Sequence, residues 1–130
     1  MNTVLQFLRE CETYYLATID GDKPRVRPFG AVSEFDGKMY FCTNNQKDVY
    51  KQMRKHPAIE FSGTLKNGAE WIRLEGKAVF DSRIEAKEEM LKQNPSLNAL
   101  YKADDEIFEV FYLENATAHI LSFAGRNDAY

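Results

Sequence analysis

Two turn signals near the start of the chain constrain its fold more than any other feature. Asp20-Gly21 and Asp36-Gly37 each follow a segment rich in β-branched and aromatic residues. An Asp-Gly pair readily adopts the positive φ angles that a tight hairpin turn requires. The pattern therefore predicts three antiparallel strands, at residues 13–19, 25–35 and 38–43. Pairing about Asp36-Gly37 would set the second strand directly beside the third.

The rest of the chain continues with more strands than helices. Four further segments have the alternation and composition of strands: residues 58–65, 70–80, 107–113 and 116–123. Helical spacing and capping residues predict three helices and one short helical turn: residues 3–12, 46–55, 83–94 and 98–102. Because the strands cluster in hairpins, we expect a mainly β fold, an antiparallel barrel with peripheral helices. Residues 124–130 are predicted to form a loose tail.

Composition and charge narrow the class of protein. The chain has 130 residues, 44% of them hydrophobic, which predicts a single domain spanning residues 1–130. Its 17 basic and 20 acidic residues give a net charge of −3, which argues against a nucleic-acid or anionic-membrane binder. Neither a signal peptide nor a membrane span is apparent, so we expect a cytoplasmic protein. Two cysteines and two histidines with no short spacing predict no metal site.

Arg25 and Arg27 form the first candidate site. Residues two apart on a strand point to the same side, so both guanidinium groups face one way. They could hold an anion between them, or they could lie on a solvated strand face. Pro28 removes a backbone donor and Gly30 permits close approach of another group, which favours a ligand beside this strand.

A second candidate site lies at residues 43–47, where a strand ends and a helix begins. Free backbone N–H groups at such a junction favour an anion. Thr43 offers a hydroxyl, Asn44 an amide and Lys47 a cation. The alternative is an ordinary Asn45 cap beside an exposed lysine. If the two hairpin strands pair directly, Arg27 converges with Thr43 and Lys47 on one phosphate.

The remaining candidates are weaker. Trp71, the single tryptophan, is typical of core packing but could line a flat heterocycle. His56 precedes a proline and reads as a helix cap, while His119 lies in a strand without an evident partner. Cys42 is expected to be a small buried hydrophobe. No catalytic triad, glycine-rich phosphate loop or metal motif is present, so catalytic residues are not assigned.

The order of these motifs resembles a known family. A hairpin with Arg-x-Arg-Pro, then Asp-Gly and Thr-Asn, followed by lysine, a helix and His-Pro, resembles the FMN-binding split-barrel superfamily of pyridoxamine 5′-phosphate oxidase. The likeness is greatest to small, nitroimidazole-reductase-like members and spans roughly residues 3–123. It implies a six-stranded split barrel and a two-fold homodimer with FMN in the grooves between subunits.

The resemblance also assigns roles on the second strand. By position, Arg27 is similar to the arginine that opens the flavin-binding strand. Pro28, Phe29 and Gly30 would follow along the isoalloxazine edge. Arg25 would be a second contact to the phosphate.

Further cofactor contacts follow from the later motifs. Thr43 and Asn44 match the Thr-Asn pair that lies near the phosphate in the family. Many relatives carry the phosphate lysine two residues beyond Lys47, so Lys47 would replace it from the loop, with Lys51 as a weaker candidate. Trp71 falls on a strand that carries further flavin contacts.

The implied activity is oxidation or reduction of an unidentified small molecule by FMN. The histidine of nitroimidazole reductases has no counterpart, and the C-terminal substrate segment of pyridoxamine phosphate oxidases does not follow Tyr130. Vitamin-synthesis activity is therefore not expected. Alternatives are a flavin carrier, an electron-transfer protein or sensor without turnover, a deazaflavin or haem protein of the same fold, and a cofactor-free dimer.

A dimer is also expected from the strand at residues 107–113. Phe108 and Tyr112 point to one side of it and Phe111 to the other, so both faces are apolar. One face should meet a partner subunit, unless the helix at 83–94 covers it within the monomer.

Overall fold

The computed structural model describes residues 2–130, which form three α-helices, a short 3-10 helix and eight strands. The helices are α1 (Asn2–Cys11), α2 (Asp48–Lys55) and α3 (Ile84–Gln93), with the 3-10 helix at Pro95–Ala99. The strands are β1 (Tyr14–Asp20), β2 (Lys23–Phe29), β3 (Ser33–Phe35), β4 (Lys38–Asn44), β5 (Ala58–Thr64), β6 (Glu70–Asp81), β7 (Phe108–Ser122) and β8 (Asn127–Ala129). None of these helices is long and apolar enough to cross a membrane.

All strands pair antiparallel in one sheet, as expected from the hairpin pattern. The strand order is β2-β1-β5-β6-β7-β4-β3, and β8 pairs with the far half of β7. Strands β2 and β3 therefore lie at opposite edges, although only residues 30–32 join them. The link from Phe29 to Ser33 crosses four peptide units and spans at most about 14 Å, so the sheet must curl until these two ends lie close together. The sheet is not closed by hydrogen bonds. It has the fold of a split barrel, as predicted, but with eight strands where six were expected.

The predicted pairing of the second and third strands is correct for residues 33–35 and wrong for residues 25–29. The segment 25–35 is two strands, because the chain leaves the sheet after Phe29 and re-enters it at Ser33. Strand β2 pairs only with β1, while the turn at Asp36-Gly37 joins β3 to β4. That turn has φ angles of 53° and 71°, as a two-residue hairpin of type I′ requires.

The core has two parts on opposite faces of the sheet. Inside the curled sheet, buried aromatic rings pack together, with Phe41 and Phe61 stacked at 4.2 Å between centroids. On the other side, α3 packs Met90 against Phe108 and Val110. The helix therefore covers the outer apolar face of the first half of β7. The expectation that this strand offers a free face to a partner is wrong, which removes that argument for a dimer.

The C-terminal residues are more ordered than the sequence predicts. Residues 127–129 form β8, and Arg126 bonds to Glu70 at 2.8 Å and to Asp128 at 2.6 Å. The predicted loose tail is therefore wrong. The two strands predicted before it are one strand, β7, whose pairing with β6 shifts register at Gly76. A Cβ at Gly76 would lie 3.0 Å from the Glu114 carbonyl oxygen, so the strands approach too closely for a side chain.

Candidate functional site

A groove of about 390 Å³ lies where the two edges of the sheet approach each other. One wall is the end of β2 with the link that follows, and the other is the end of β4. The segment after α3 closes the third side. The lining residues are Pro28, Phe29, Gly30, Ala31, Cys42, Thr43, Lys47, Asn94, Ser96, Leu97, Leu100 and Tyr101.

The β2 wall is held in place from within the core. Phe29 packs its ring against Phe61, with 6.0 Å between centroids. The Tyr14 hydroxyl donates a hydrogen bond to the Ala31 carbonyl at 2.5 Å. Burial raises the pKa of Tyr14 well above its usual range, so the phenol remains a donor. A Cβ at Gly30 would lie 3.3 Å from the Glu12 carbonyl oxygen, so glycine lets the link pass close to the end of α1.

The β4 wall contains a buried hydroxyl without a partner. Thr43 is 5% exposed, and its Oγ1 has no hydrogen-bond partner within residues 2–130. An unpaired buried hydroxyl costs about 1–3 kcal/mol, so such groups usually have a partner outside the chain. Ser33 Oγ is also unpaired, but Ser33 is not a groove residue. Thr43 therefore lines the groove and keeps one unpaired hydroxyl at its wall.

Lys47 supplies the positive charge of the groove and is the one charged residue in its lining. It is exposed, and no carboxylate of residues 2–130 forms an ion pair with it. Lys47 also occupies the position before α2, so the alternative reading of Asn45 as the cap is wrong. Asn45 instead donates to the Glu106 carbonyl and to Glu109. The groove therefore has one uncompensated cation beside Thr43.

Arg27 lies on a neighbouring surface and not in the groove. Its guanidinium donates to Thr18 Oγ1 at 2.6 Å and to Gln52 Oε1 at 2.7 Å. Burial lowers the pKa of Arg27, and the charge of Arg25 lowers it further. Arg25 itself pairs with Asp20 at 2.9 Å. The sequence-predicted convergence of Arg27 with the groove residues is not seen within this chain.

Of the other residues that the sequence suggested, some lie at the groove and others lie away from it. Asn44 reaches the groove indirectly, since its amide donates to the Tyr101 hydroxyl at 2.7 Å. Trp71 lies on β6 outside the groove and packs against Phe123, with 4.8 Å between ring centroids. Cys42 lines the groove, and burial raises the pKa of its thiol to about 12, so it is a neutral group. His56 occupies the end of α2, as expected of a cap.

Sequence reasoning missed the third wall entirely. Asn94, Leu97, Leu100 and Tyr101 line the groove from the segment that follows α3. The helix stop at Asn94-Pro95 and the short helical turn predicted at residues 98–102 marked this region, but neither indicated a groove wall; the turn forms at Pro95–Ala99. Asn94 fixes the wall by donating to the Val32 carbonyl, 62 residues away. No local pattern reveals a contact at that separation.

The chain matches the family model described as pyridoxamine 5′-phosphate oxidase over residues 2–119. Among solved structures, a NimC/NimA family protein from Clostridium acetobutylicum is 48% identical, with a TM-score of 0.96, covering 100% of this chain and 90% of that one. No curated protein gives a significant match.

Two more distant structures share the fold. A pyridoxamine 5′-phosphate oxidase-related, FMN binding protein from Nostoc punctiforme is 14% identical, with a TM-score of 0.72, over 98% of this chain and 86% of that one. A heme binding protein from Mycobacterium smegmatis is 15% identical, with a TM-score of 0.74, covering 95% of this chain and 57% of that one. With the family match over most of its length and the 48% identical relative, the chain belongs to the pyridoxamine 5′-phosphate oxidase family.

Proposed function

We propose that this protein binds FMN in the groove and is an FMN-dependent oxidoreductase acting on a small molecule. The observation that carries the proposal is the unpaired, buried Thr43 hydroxyl beside Lys47, which has no carboxylate partner in residues 2–130. A phosphate needs a cation and hydrogen-bond donors, and these two residues supply one of each. The FMN binding relative from Nostoc punctiforme supports the same ligand class.

The residues of the groove would divide the work by chemistry. Lys47 would neutralise the phosphate and Thr43 would donate a hydrogen bond to the ligand. Phe29, Leu97 and Leu100 offer apolar surface to a planar ring. When bound, FMN supplies the hydride or electron transfer, while the protein supplies position and electrostatics.

The proposal includes a homodimer in which a second subunit covers the open side of the groove. Apolar side chains on the outer face of β1 and β2 support it: Tyr15 is 50% exposed and Val26 65% exposed. Pro28 extends this surface to the groove. Light scattering should give a mass of twice the 15.0 kDa chain. A monomer that binds FMN tightly would contradict the dimer but not the FMN site.

Haem is a less suitable occupant, although one structural relative is a heme binding protein. Haem iron requires an axial ligand such as a histidine or a cysteine thiolate. Neither His56 nor His119 lines the groove. Cys42 does, but its raised pKa keeps it a neutral thiol at physiological pH. The groove therefore offers better contacts to a phosphate-bearing flavin.

Titration of the apoprotein tests the ligand. FMN should bind, riboflavin should bind more weakly because it lacks the phosphate, and hemin should give no coordinated-haem spectrum. Thr43→Val should weaken FMN binding about fivefold, since it removes roughly one hydrogen bond. Thr64→Val, on an exposed part of β5, is the matched control. Absence of FMN binding, or equal affinity of wild type and Thr43→Val, would contradict the proposed site.

Turnover separates an enzyme from a flavin carrier or sensor. The FMN-loaded protein should catalyse steady-state oxidation of NADH or NADPH with at least one acceptor from a panel of quinones and nitroaromatics. Tight FMN binding with no turnover across the panel would favour the non-catalytic alternative. The same titrations with a deazaflavin show which of the two cofactors the apoprotein binds more tightly, and we expect FMN to be preferred.

A further inference from the structure

The orientation of the Asn44 side chain is fixed by a backbone donor. The Gln46 N–H lies 3.0 Å from Asn44 Oδ1. A backbone N–H can only donate, so the atom facing it must be the amide oxygen. The opposite end of the amide is therefore the NH₂ group, and it faces Tyr101 at 2.7 Å.

The Tyr101 hydroxyl must then accept that hydrogen bond. An amide NH₂ group has no acceptor capacity, so the phenolic hydrogen points elsewhere. Within residues 2–130, no oxygen or nitrogen accepts it. The ring is fixed by stacking on Phe108, at 4.8 Å between centroids and 28° between planes, and it lines the groove. Tyr101 thus has one uncommitted O–H donor in a fixed position.

We propose that Tyr101 is the donor of the groove to an uncharged acceptor on the ligand, a carbonyl oxygen or a ring nitrogen. Asn44 sets the direction of this bond, and its own donation strengthens the phenol as a donor. The neighbouring residues of the same wall, Asn94, Ser96 and Leu97, carry no charge. A neutral acceptor therefore suits this wall, while an anion belongs at Lys47. The inference rests on the proposed function, because it concerns the same ligand.

Replacement of Asn44 by aspartate reverses which group donates the hydrogen bond between residue 44 and Tyr101, while the shape of the side chain is retained. Both carboxylate oxygens accept, so one keeps the bond from the Gln46 N–H and the other takes the Tyr101 hydrogen. Asn44→Asp should therefore remove the donor from the groove, as Tyr101→Phe does. Tyr50→Phe is the control, because Tyr50 packs on Phe80 outside the groove.

The binding experiment uses apoprotein with riboflavin and with FMN. Tyr101→Phe should weaken the binding of both flavins about fivefold, which is the loss of affinity expected for one hydrogen bond. Asn44→Asp should weaken riboflavin binding by a similar factor when Tyr101 is present. It should weaken riboflavin binding by much less when it is combined with Tyr101→Phe. This cycle separates the reversed bond from the added charge. Weakening of FMN alone by Tyr101→Phe would place the contact on the phosphate and overturn the proposal, as would no weakening of either flavin.

A spectroscopic measurement tests the polarity without any ligand. The tyrosine Raman doublet depends on whether the phenol accepts or donates a hydrogen bond. The Tyr101 contribution is obtained by subtracting the Tyr101→Phe spectrum. It should indicate a phenol that accepts from Asn44 and donates only to solvent in wild type, and a phenol that donates to a carboxylate in Asn44→Asp. The same contribution in both proteins would overturn the proposal. Wild type that binds neither flavin but shows the expected Raman change would contradict the proposed function alone.

Discussion

The Tyr14 hydroxyl donates to the Ala31 carbonyl and thereby ties the core of β1 to the link between the two edges of the sheet. Tyr14 is fully buried, so its removal leaves the carbonyl without this donor. We expect Tyr14→Phe to lower the free energy of unfolding by about 1–2 kcal/mol. Denaturant titration measures it. Tyr15→Phe, at the exposed neighbouring residue, should leave stability unchanged; equal effects of both variants would contradict this role.

Acid should weaken the contact between Asp81 and Arg83. The Arg83 guanidinium and the Tyr40 hydroxyl hold the pKa of Asp81 at about 2, below its ordinary value of 3.8. Because the folded-state pKa is depressed, this stabilisation is complete above about pH 5 and is lost as the pH falls toward 2. The side chain of Asp81 is only 9% exposed, so the loss should be about 2 kcal/mol.

Unfolding measured between about pH 2 and pH 5 tests this expectation. Asp81→Asn should be less stable than wild type at neutral pH, and the difference should shrink as the solution is acidified. Asp36→Asn is the control, because Asp36 is half exposed and lies 3.4 Å from Arg83. A stability difference that does not change with pH would show that Asp81 acts through packing and not through its charge.

Gly63 is required by the close approach of β5 to its neighbours. A Cβ there would lie 2.9 Å from Tyr14 Cβ and 3.1 Å from Cys11 Sγ. We expect Gly63→Ala to destabilise the protein by about 1–3 kcal/mol through overpacking. Thermal and denaturant unfolding measure this loss, with Ser62→Ala on the exposed face of the same strand as the control. Unchanged stability would mean that α1 moves away without cost.

Lys47 and Lys51 should differ in their effect on phosphate recognition. Lys47 lines the groove with Thr43, whereas Lys51 lines a separate cleft with Asp48 and Gln52. Lys47→Met should therefore reduce the preference for FMN over riboflavin about tenfold or more, as expected for a charge-assisted contact. Lys51→Met should leave that preference within about twofold. The ratio of the two dissociation constants in each variant is the measurement, and a larger loss in Lys51→Met would move the phosphate to the other cleft.

Local signals in the sequence predicted most of the elements and their hairpin turns, but not the pairing of strands that lie far apart in the chain. The Asp36-Gly37 turn forms a hairpin as predicted, because its backbone geometry is a property of those two residues. The sequence does not reveal that the chain leaves the sheet at Gly30 and crosses to the opposite edge. That crossing depends on the curl of the whole sheet and on the Tyr14 contact, which no short segment encodes.

The groove was predicted only in part, because its walls come from segments that are far apart in the sequence. Pro28, Thr43 and Lys47 do line one groove, although not through the direct pairing that was expected. Tyr101 was missed because its partner Asn44 lies 57 residues away. Arg27 carried the right chemistry for an anion, but its orientation toward Gln52 depends on where α2 packs. The sequence thus indicated which residues had suitable chemistry for a ligand, but not where their side chains point in the fold.

The three residues between β2 and β3 have a consequence for how this fold changes over evolution. Their contour length limits how far the two sheet edges can separate, and so the width of the opening between them. An insertion there would widen the cleft without altering a single residue in either strand. Ligand size in such a scaffold can therefore diverge through chain length at one position, while the core that confers stability stays the same.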